Sequence, residues 1–308
     1  MTITHETAAP KASAGLPAFL ELEITGRCQL ACSHCYAESG PTQGHGSMTV
    51  DDWKRILDEA GAGETKTVQF IGGEPTMHPA FVELVHHTLD VGLRVRVYSN
   101  LYHVRDAHWP LFCDPRVNLA TSYYSDDPAE HDAITGREGS HTSTRANIVE
   151  AVERGISVKV GIIHMRDGQR SQEALAEMQS IGVAQVGIDN VRAVGNAATE
   201  KRLLPSTSEL CGRCADGKAA VLPDGTVAPC VMARFLPGGD VKGGTLAGVM
   251  GSEQWARVAA SIPSYKEGCL PDEDSCQPAP FAPARACKPN SDGSDCSPAE
   301  KPACNPKY

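Results

Sequence analysis

Cys28-Gln29-Leu30-Ala31-Cys32-Ser33-His34-Cys35 follows closely on Phe19-Leu20-Glu21-Leu22-Glu23-Ile24, and these two stretches decide how the rest of the chain is read. The hexapeptide alternates apolar and acidic residues with the period of a strand. The octapeptide is C-x3-C-x2-C, three thiols on one short loop that can converge on a metal centre. A structural zinc site takes four nitrogen or sulfur ligands, and the fourth here would have to be His34, badly placed between two of the others. A [4Fe–4S] cluster normally takes four Cys. Held by three, it leaves one iron open for a substrate or cofactor. A zinc loop is the competing reading.

Outward from this point the chain alternates strand and helix patterns. Thr49 is a predicted N-cap for a helix over about 50–60, with Val50, Trp53, Ile56 and Leu57 at helical spacing. Strands are expected at Val68–Ile71, Val95–Tyr98, Val117–Ala120, Val158–Ile163 and Val183–Ile188. Helices are expected near 79–91, 144–152 and 172–180, with Gly92 and Gly155 as stops. About six β-α units in series imply an α/β fold with a parallel sheet, open or curled into a barrel, that binds ligands at the C-terminal ends of its strands.

The chain has 308 residues, a formal net charge of −10 and 12 cysteines. The acidic balance argues against coating nucleic acid or an anionic membrane. No apolar run reaches the roughly 18–20 residues that span a bilayer. The first residues lack a basic stretch followed by an apolar one, so a cytoplasmic protein is expected. In a reducing compartment cysteines more often ligate metal or act in catalysis than form disulfides. They fall into Cys28, Cys32 and Cys35, a lone Cys113, and eight in the last third: Cys211, Cys214, Cys230, Cys269, Cys276, Cys287, Cys296 and Cys304.

Gly72-Gly73-Glu74-Pro75 directly follows the second expected strand. Glycines at a strand end let a ligand approach the backbone, and Glu74 offers a carboxylate for a cationic amine. An ordinary βα turn is the bland reading. In register with the cysteine loop, this turn makes residues 18–200 resemble the radical S-adenosylmethionine (SAM) superfamily. That resemblance implies a partial (β/α)6 barrel, a [4Fe–4S] cluster on Cys28, Cys32 and Cys35, and SAM beside it. Tyr36 follows the third Cys as in many relatives. The resemblance assigns Gly72, Gly73, Glu74 and Pro75 to the methionine amino group, Asn100 to the neighbourhood of the ribose, and Ser122 and Arg137 to the carboxylate. Arg suits a carboxylate through its bidentate fork, although Arg137 reads equally well as a solvated loop charge. The turn Val191–Gly195, with Ile163, is expected to line the same pocket.

After about residue 205 the pattern changes. Pro223-Asp224-Gly225 sits between Ala219–Leu222 and Thr226–Ala228, a hairpin signal, and a short helix is expected near 252–260. Cys211, Cys214 and Cys230 around this hairpin resemble the start of a SPASM or twitch extension, in which a further Cys, here Cys269 or Cys276, completes an auxiliary [4Fe–4S] cluster. The later cysteines depart from the C-x2-C-x5-C-x3-C run of a full SPASM domain. They suffice for a second auxiliary cluster, for spare thiols, or for zinc. The expected organisation is a disordered N-terminus over 1–17, a barrel over 18–205 and a cysteine-rich extension over 206–308.

The resemblance further implies an electron donor such as a flavodoxin or ferredoxin, reductive cleavage of SAM to a 5′-deoxyadenosyl radical, and hydrogen abstraction from an unactivated carbon. The expected substrate is a ribosomally made peptide, epimerised or cross-linked. A small molecule such as an aminoglycoside is the alternative, and a non-catalytic iron–sulfur or zinc protein is the third reading. Epimerisation needs a hydrogen donor. Cys113 is a candidate, a tail thiol is its rival, and a small buried residue is the plainer reading of Cys113.

Overall fold

The computed structural model of the chain describes residues 15–263. Residues 1–14 of the expected disordered segment, and the ligand candidates Cys269 and Cys276 with Cys287, Cys296 and Cys304, lie outside the described residues.

The first strand, β1 (Phe19–Glu23), is buried along its whole length. Its Leu20 and Leu22, with Ile24, share one apolar core with Trp53, Ile56 and Leu57 of α1 (Val50–Ala62). Burying each of those large side chains contributes about 1.5–3 kcal/mol. Thr49 caps α1 as expected: its hydroxyl accepts from the Asp52 N–H, and the Asp52 carboxylate accepts from the Thr49 N–H. The alternation in β1 would ordinarily mean one solvated face. Here the acidic face is also enclosed, with Glu21 fully buried and Glu23 1% exposed.

The chain then runs through β2 (Thr67–Ile71), α2 (Phe81–Asp90), β3 (Arg94–Tyr98), α3 (Trp109–Phe112), β4 (Val117–Tyr123), α4 (Pro128–Thr135), α5 (Ser140–Glu153), β5 (Val158–His164), α6 (Ser171–Ile181), β6 (Gln185–Asn190) and α7 (Asn196–Glu200). Strands β1 to β6 pair in parallel in sequence order, which is the expected series of β-α units. All their C-terminal ends therefore open on one side. α4 was not expected, although its signals are present. Asp127 caps it by accepting from the Glu130 N–H, Pro128 opens it, and Gly136 closes it in a left-handed conformation.

The expected hairpin forms as β7 (Lys218–Val221) and β8 (Thr226–Ala228), followed by β9 (Gly239–Asp240), α8 (Leu246–Met250) and α9 (Glu253–Ser261). It does not stand apart. β7 pairs in parallel with β1, from Phe19↔Lys218 to Leu22↔Val221, so the barrel sheet continues as β6-β5-β4-β3-β2-β1-β7-β8-β9. Among the described residues no helix is long and apolar enough to cross a membrane.

Candidate active site

The cysteine loop leaves the end of β1 and is pinned on three sides. Cys28 N–H donates to the Gly40 carbonyl, Ala31 and Ser33 N–H donate to the carbonyls of Thr135 and Ile134 at the end of α4, and Asn196 at the start of α7 donates to the Cys35 and Cys32 carbonyls. Gly195 holds this last approach: it has φ +60°, and a Cβ there would lie 2.5 Å from the Cys35 carbonyl oxygen. Cys28 is buried, and Cys32 and Cys35 are half-buried.

Backbone and side-chain N–H groups already point at the sulfurs. Leu30 N–H and the Asn100 amide donate to Cys28 Sγ at 3.4 and 3.5 Å, and Ser39 N–H donates to Cys35 Sγ at 3.3 Å. Burial pushes the Cys28 thiol up to about 12, helped by the Glu74 charge, and burial raises Cys32 and Cys35 too. A thiolate here needs a metal centre as its cationic partner. Among the described residues no three His, Cys, Asp or Glu converge as ligands of one ion. Thiolates of a cubane each hold a different iron, so the loop fits a three-Cys cluster better than a zinc ion. His34 packs edge-on against Tyr124 at 5.0 Å, and burial lowers it to about 4.

The glycine turn after β2 is zipped to the chain just ahead of Cys28. Gly73 N–H donates to the Thr25 carbonyl at 2.7 Å and Glu74 N–H to the Arg27 carbonyl at 2.9 Å. A Cβ on Gly72 or Gly73 would strike those same carbonyls. Glu74 departs from expectation. Its carboxylate is fully buried and accepts from Thr76 N–H, the Thr76 and Ser99 hydroxyls, and Asn100 N–H. It does not line the cleft, nor does Pro75, which opens a short 3-10 turn. Gly72 and Gly73 do line it.

The cleft measures about 990 Å³, part of it open to solvent, at the C-terminal ends of the strands. The cysteine loop forms one wall. Tyr98 and Asn100 at the end of β3, Ser122 and Tyr124 at the end of β4, and Ile163 at β5 continue it, and Asn190, Val191 and Arg192 close it at the end of β6. Ser122 Oγ and Tyr98 OH are 3.0 Å apart. Four buried polar atoms on these walls have no partner among the described residues: His34 Nδ1, Tyr36 OH, Ser39 Oγ and His131 Nε2. Buried polar groups are normally satisfied, so the cleft is shaped for a polar ligand. Three cysteines, a bare glycine turn and these atoms fit an iron–sulfur cluster with SAM beside it.

Arg137 lies elsewhere. It is exposed, donates to the Gln29 carbonyl at 3.2 Å, and stacks over the Tyr102 ring at 4.7 Å. The cation that does line the cleft is Arg192, buried and paired with Asp189 at 2.9 Å. The sequence reading missed Tyr124, Thr144, Asn190 and Met232 on the lining, because nothing in their local pattern marks which way their side chains face. Cys113 is exposed at the C-cap of α3, ahead of β4, so it is not the small buried residue expected, and it does not line the cleft.

Of the cysteines expected around the hairpin, Cys214 and Cys230 meet directly. Cys214 and Cys230 are buried with sulfurs 2.8 Å apart, and Cys211 packs on the same apolar cluster. The turn after Cys230 is gripped by the acidic face of β1. Val231 N–H donates to Glu21 at 2.9 Å, and Arg234 pairs with Glu23 at 2.8 Å.

Comparison with known proteins agrees with this geometry. The model of the radical SAM superfamily matches residues 22–180. The PqqA peptide cyclase of Rhodopseudomonas palustris is 30% identical over 128 residues, 41% of this chain and 34% of that protein. The antilisterial bacteriocin subtilosin biosynthesis protein AlbA of Bacillus subtilis is 28% identical over 149 residues, 48% of this chain and 33% of that protein. The matches thus span about a third of these relatives' lengths. Among solved structures, Streptococcus suis SuiB bound to S-adenosylmethionine superposes with TM-score 0.66 at 13% identity, over 80% of this chain and 68% of that one. The enzyme anSMEcpe with AdoMet and a peptide gives 0.59 at 13% identity, over 81% and 84%. At such identities these two likenesses speak for the fold, while the family model covers more than half of the sequence: the chain belongs to the radical SAM superfamily, whose members carry a [4Fe–4S] cluster and bind SAM.

Proposed function

We propose that the chain is a radical SAM enzyme that modifies a ribosomally made peptide. The observation that carries the chemistry is the meeting of three loop thiols, a bare glycine turn and four unpartnered polar atoms on one cleft. The peptide substrate rests on the relatives: a PqqA peptide cyclase, a subtilosin biosynthesis protein, and SuiB bound to its precursor peptide SuiA.

In this reading Cys28, Cys32 and Cys35 hold the cluster, and the Gly72–Gly73 backbone, Tyr36 and Ser122 hold SAM. When bound, these groups supply a 5′-deoxyadenosyl radical, the agent that removes hydrogen from a substrate carbon. The protein's own part is placement. Asn196 and the end of α4 fix the loop, the apolar Ile71, Ile163 and Met232 form part of the cleft wall, and Arg192, oriented by Asp189, offers a fixed cation to an anionic group. Arg137 acts outside the cleft, bracing Gln29 of the loop. Cys211, Cys214 and Cys230, with Cys269 or Cys276, hold an auxiliary [4Fe–4S] cluster. A flavodoxin or ferredoxin delivers the electron, in the cytoplasm, where the thiols stay reduced.

The test is anaerobic reconstitution followed by reduction with SAM and a candidate precursor peptide. The expected result is 5′-deoxyadenosine together with a peptide lighter by two hydrogens, or carrying one deuterium from D2O. Turnover of an aminoglycoside in place of any peptide would overturn the substrate assignment, and zinc with no iron would overturn the chemistry.

A further inference from the structure

Asn100 was expected beside the ribose, and it does line the cleft, but its side chain is committed elsewhere. Its Nδ2 donates to Cys28 Sγ at 3.5 Å. The orientation of the amide is not arbitrary. Tyr102 N–H donates to Oδ1 at 2.9 Å, and so does the Gln29 amide at 3.1 Å. A backbone N–H can only donate, so the oxygen must face Tyr102 and the NH2 group must face the sulfur.

The residue is held in this pose from every side. Its N–H donates to the buried Glu74 carboxylate at 2.8 Å, and its carbonyl accepts from the Thr144 hydroxyl at 3.0 Å. Leu101, fully buried, takes φ +51°, a left-handed conformation that a leucine rarely adopts. That turn is what brings Tyr102 N–H back onto Asn100 Oδ1. Strain of this kind persists where the surroundings over-determine a geometry with a use.

We propose that Asn100 is a positioning residue that sets the reduction potential of the cluster on Cys28, Cys32 and Cys35. Its amide withdraws charge from the Cys28 thiolate, which favours the reduced state with its extra electron and raises the potential. The same residue ties that sulfur to the glycine turn through Glu74. This inference rests on the first cysteine loop holding a cluster and is independent of which substrate the enzyme takes.

The test is an EPR-monitored redox titration of the reconstituted full chain without SAM. The relevant cluster is identified afterwards as the one whose signal changes when SAM is added. Asn100→Ala removes the donor, and its midpoint should fall below wild type. Asn100→Asp keeps the acceptor for Tyr102 N–H but sets a second oxygen against the sulfur, and its midpoint should fall further. A purely structural role predicts the reverse order, with Asp nearer wild type. A role confined to the ribose predicts unchanged SAM-free midpoints and weaker SAM binding. Either result overturns the proposal. If the Asp variant loses its iron, the Ala variant decides alone. Loss of iron from both with native circular dichroism overturns the proposal as well, because Asn100 would then serve assembly and not potential.

Discussion

The two cysteine sites are built on opposite plans. The first gathers Cys28, Cys32 and Cys35 from eight consecutive residues, points N–H donors at two of the sulfurs, and opens on a cleft with unpartnered polar atoms. The second joins Cys214 to Cys230 across 16 positions and sets them, with Cys211, in an apolar cluster that includes Leu210, Val231 and Phe235. An open cleft with unpartnered polar atoms suits a centre that must receive a ligand. Dry, apolar surroundings suit one that only holds a cluster or passes an electron. Between them runs β1, whose Glu21 and Glu23 bind the turn that follows Cys230.

The largest expected effect comes from emptying the first site. Replacing Cys28, Cys32 and Cys35 by Ala should abolish SAM cleavage and remove about 4 Fe per chain; cleavage that persists would break the comparison at its root. Next is Cys214→Ala, which should remove a similar amount of iron while leaving 5′-deoxyadenosine formation in place and stopping product formation. If SAM cleavage fell to the level of the first variant, the two sites would not be separable.

The link between them is tested by Arg234→Met. It leaves Glu23, 1% exposed, without its cationic partner, at a cost of about 3–5 kcal/mol, read as a lower urea midpoint. Adding Glu23→Gln should restore most of the loss, and failure to do so would mean the pair is not what joins the regions.

The smallest effect is a pH dependence. Burial, with the charge of His141 adding, lowers His131 from 6.5 to about 3. The unfolded chain then takes up a proton near pH 6.5 that the folded chain refuses. Stability should therefore fall as pH drops below about 6.5 and go on falling toward 3. His131→Gln should flatten the change in urea midpoint between pH 7 and pH 5. Residues 206–263 contain no histidine, so this acid weakness belongs to the first region.

Much of this was legible in the residues. Strand and helix periods marked the six parallel strands and helices α1, α2, α5, α6 and α9 to within a few positions, though not α4, because periodicity records which face meets the core. The cysteine loop and glycine turn were legible because their chemistry is local. Arg137 and Glu74 were not. A charge two residues past a helix end or directly after two glycines reads the same whether it faces a ligand or a neighbour's hydroxyl. Arg192 and Asn100 gained or changed roles for the same reason, since the direction of a side chain is set by partners distant in sequence.

By itself, the sequence determined a series of β-α units, three thiols at one strand end and a bare turn at the next, all encoded within a few residues of one another. Only the tertiary structure decided that β7 docks on β1, about 200 positions away, so that one strand carries the first cysteine loop and grips the second. It also decided that an amide after β3 faces a sulfur after β1. Long-range pairing depends on the shape complementarity of whole surfaces, and no local spacing carries that information.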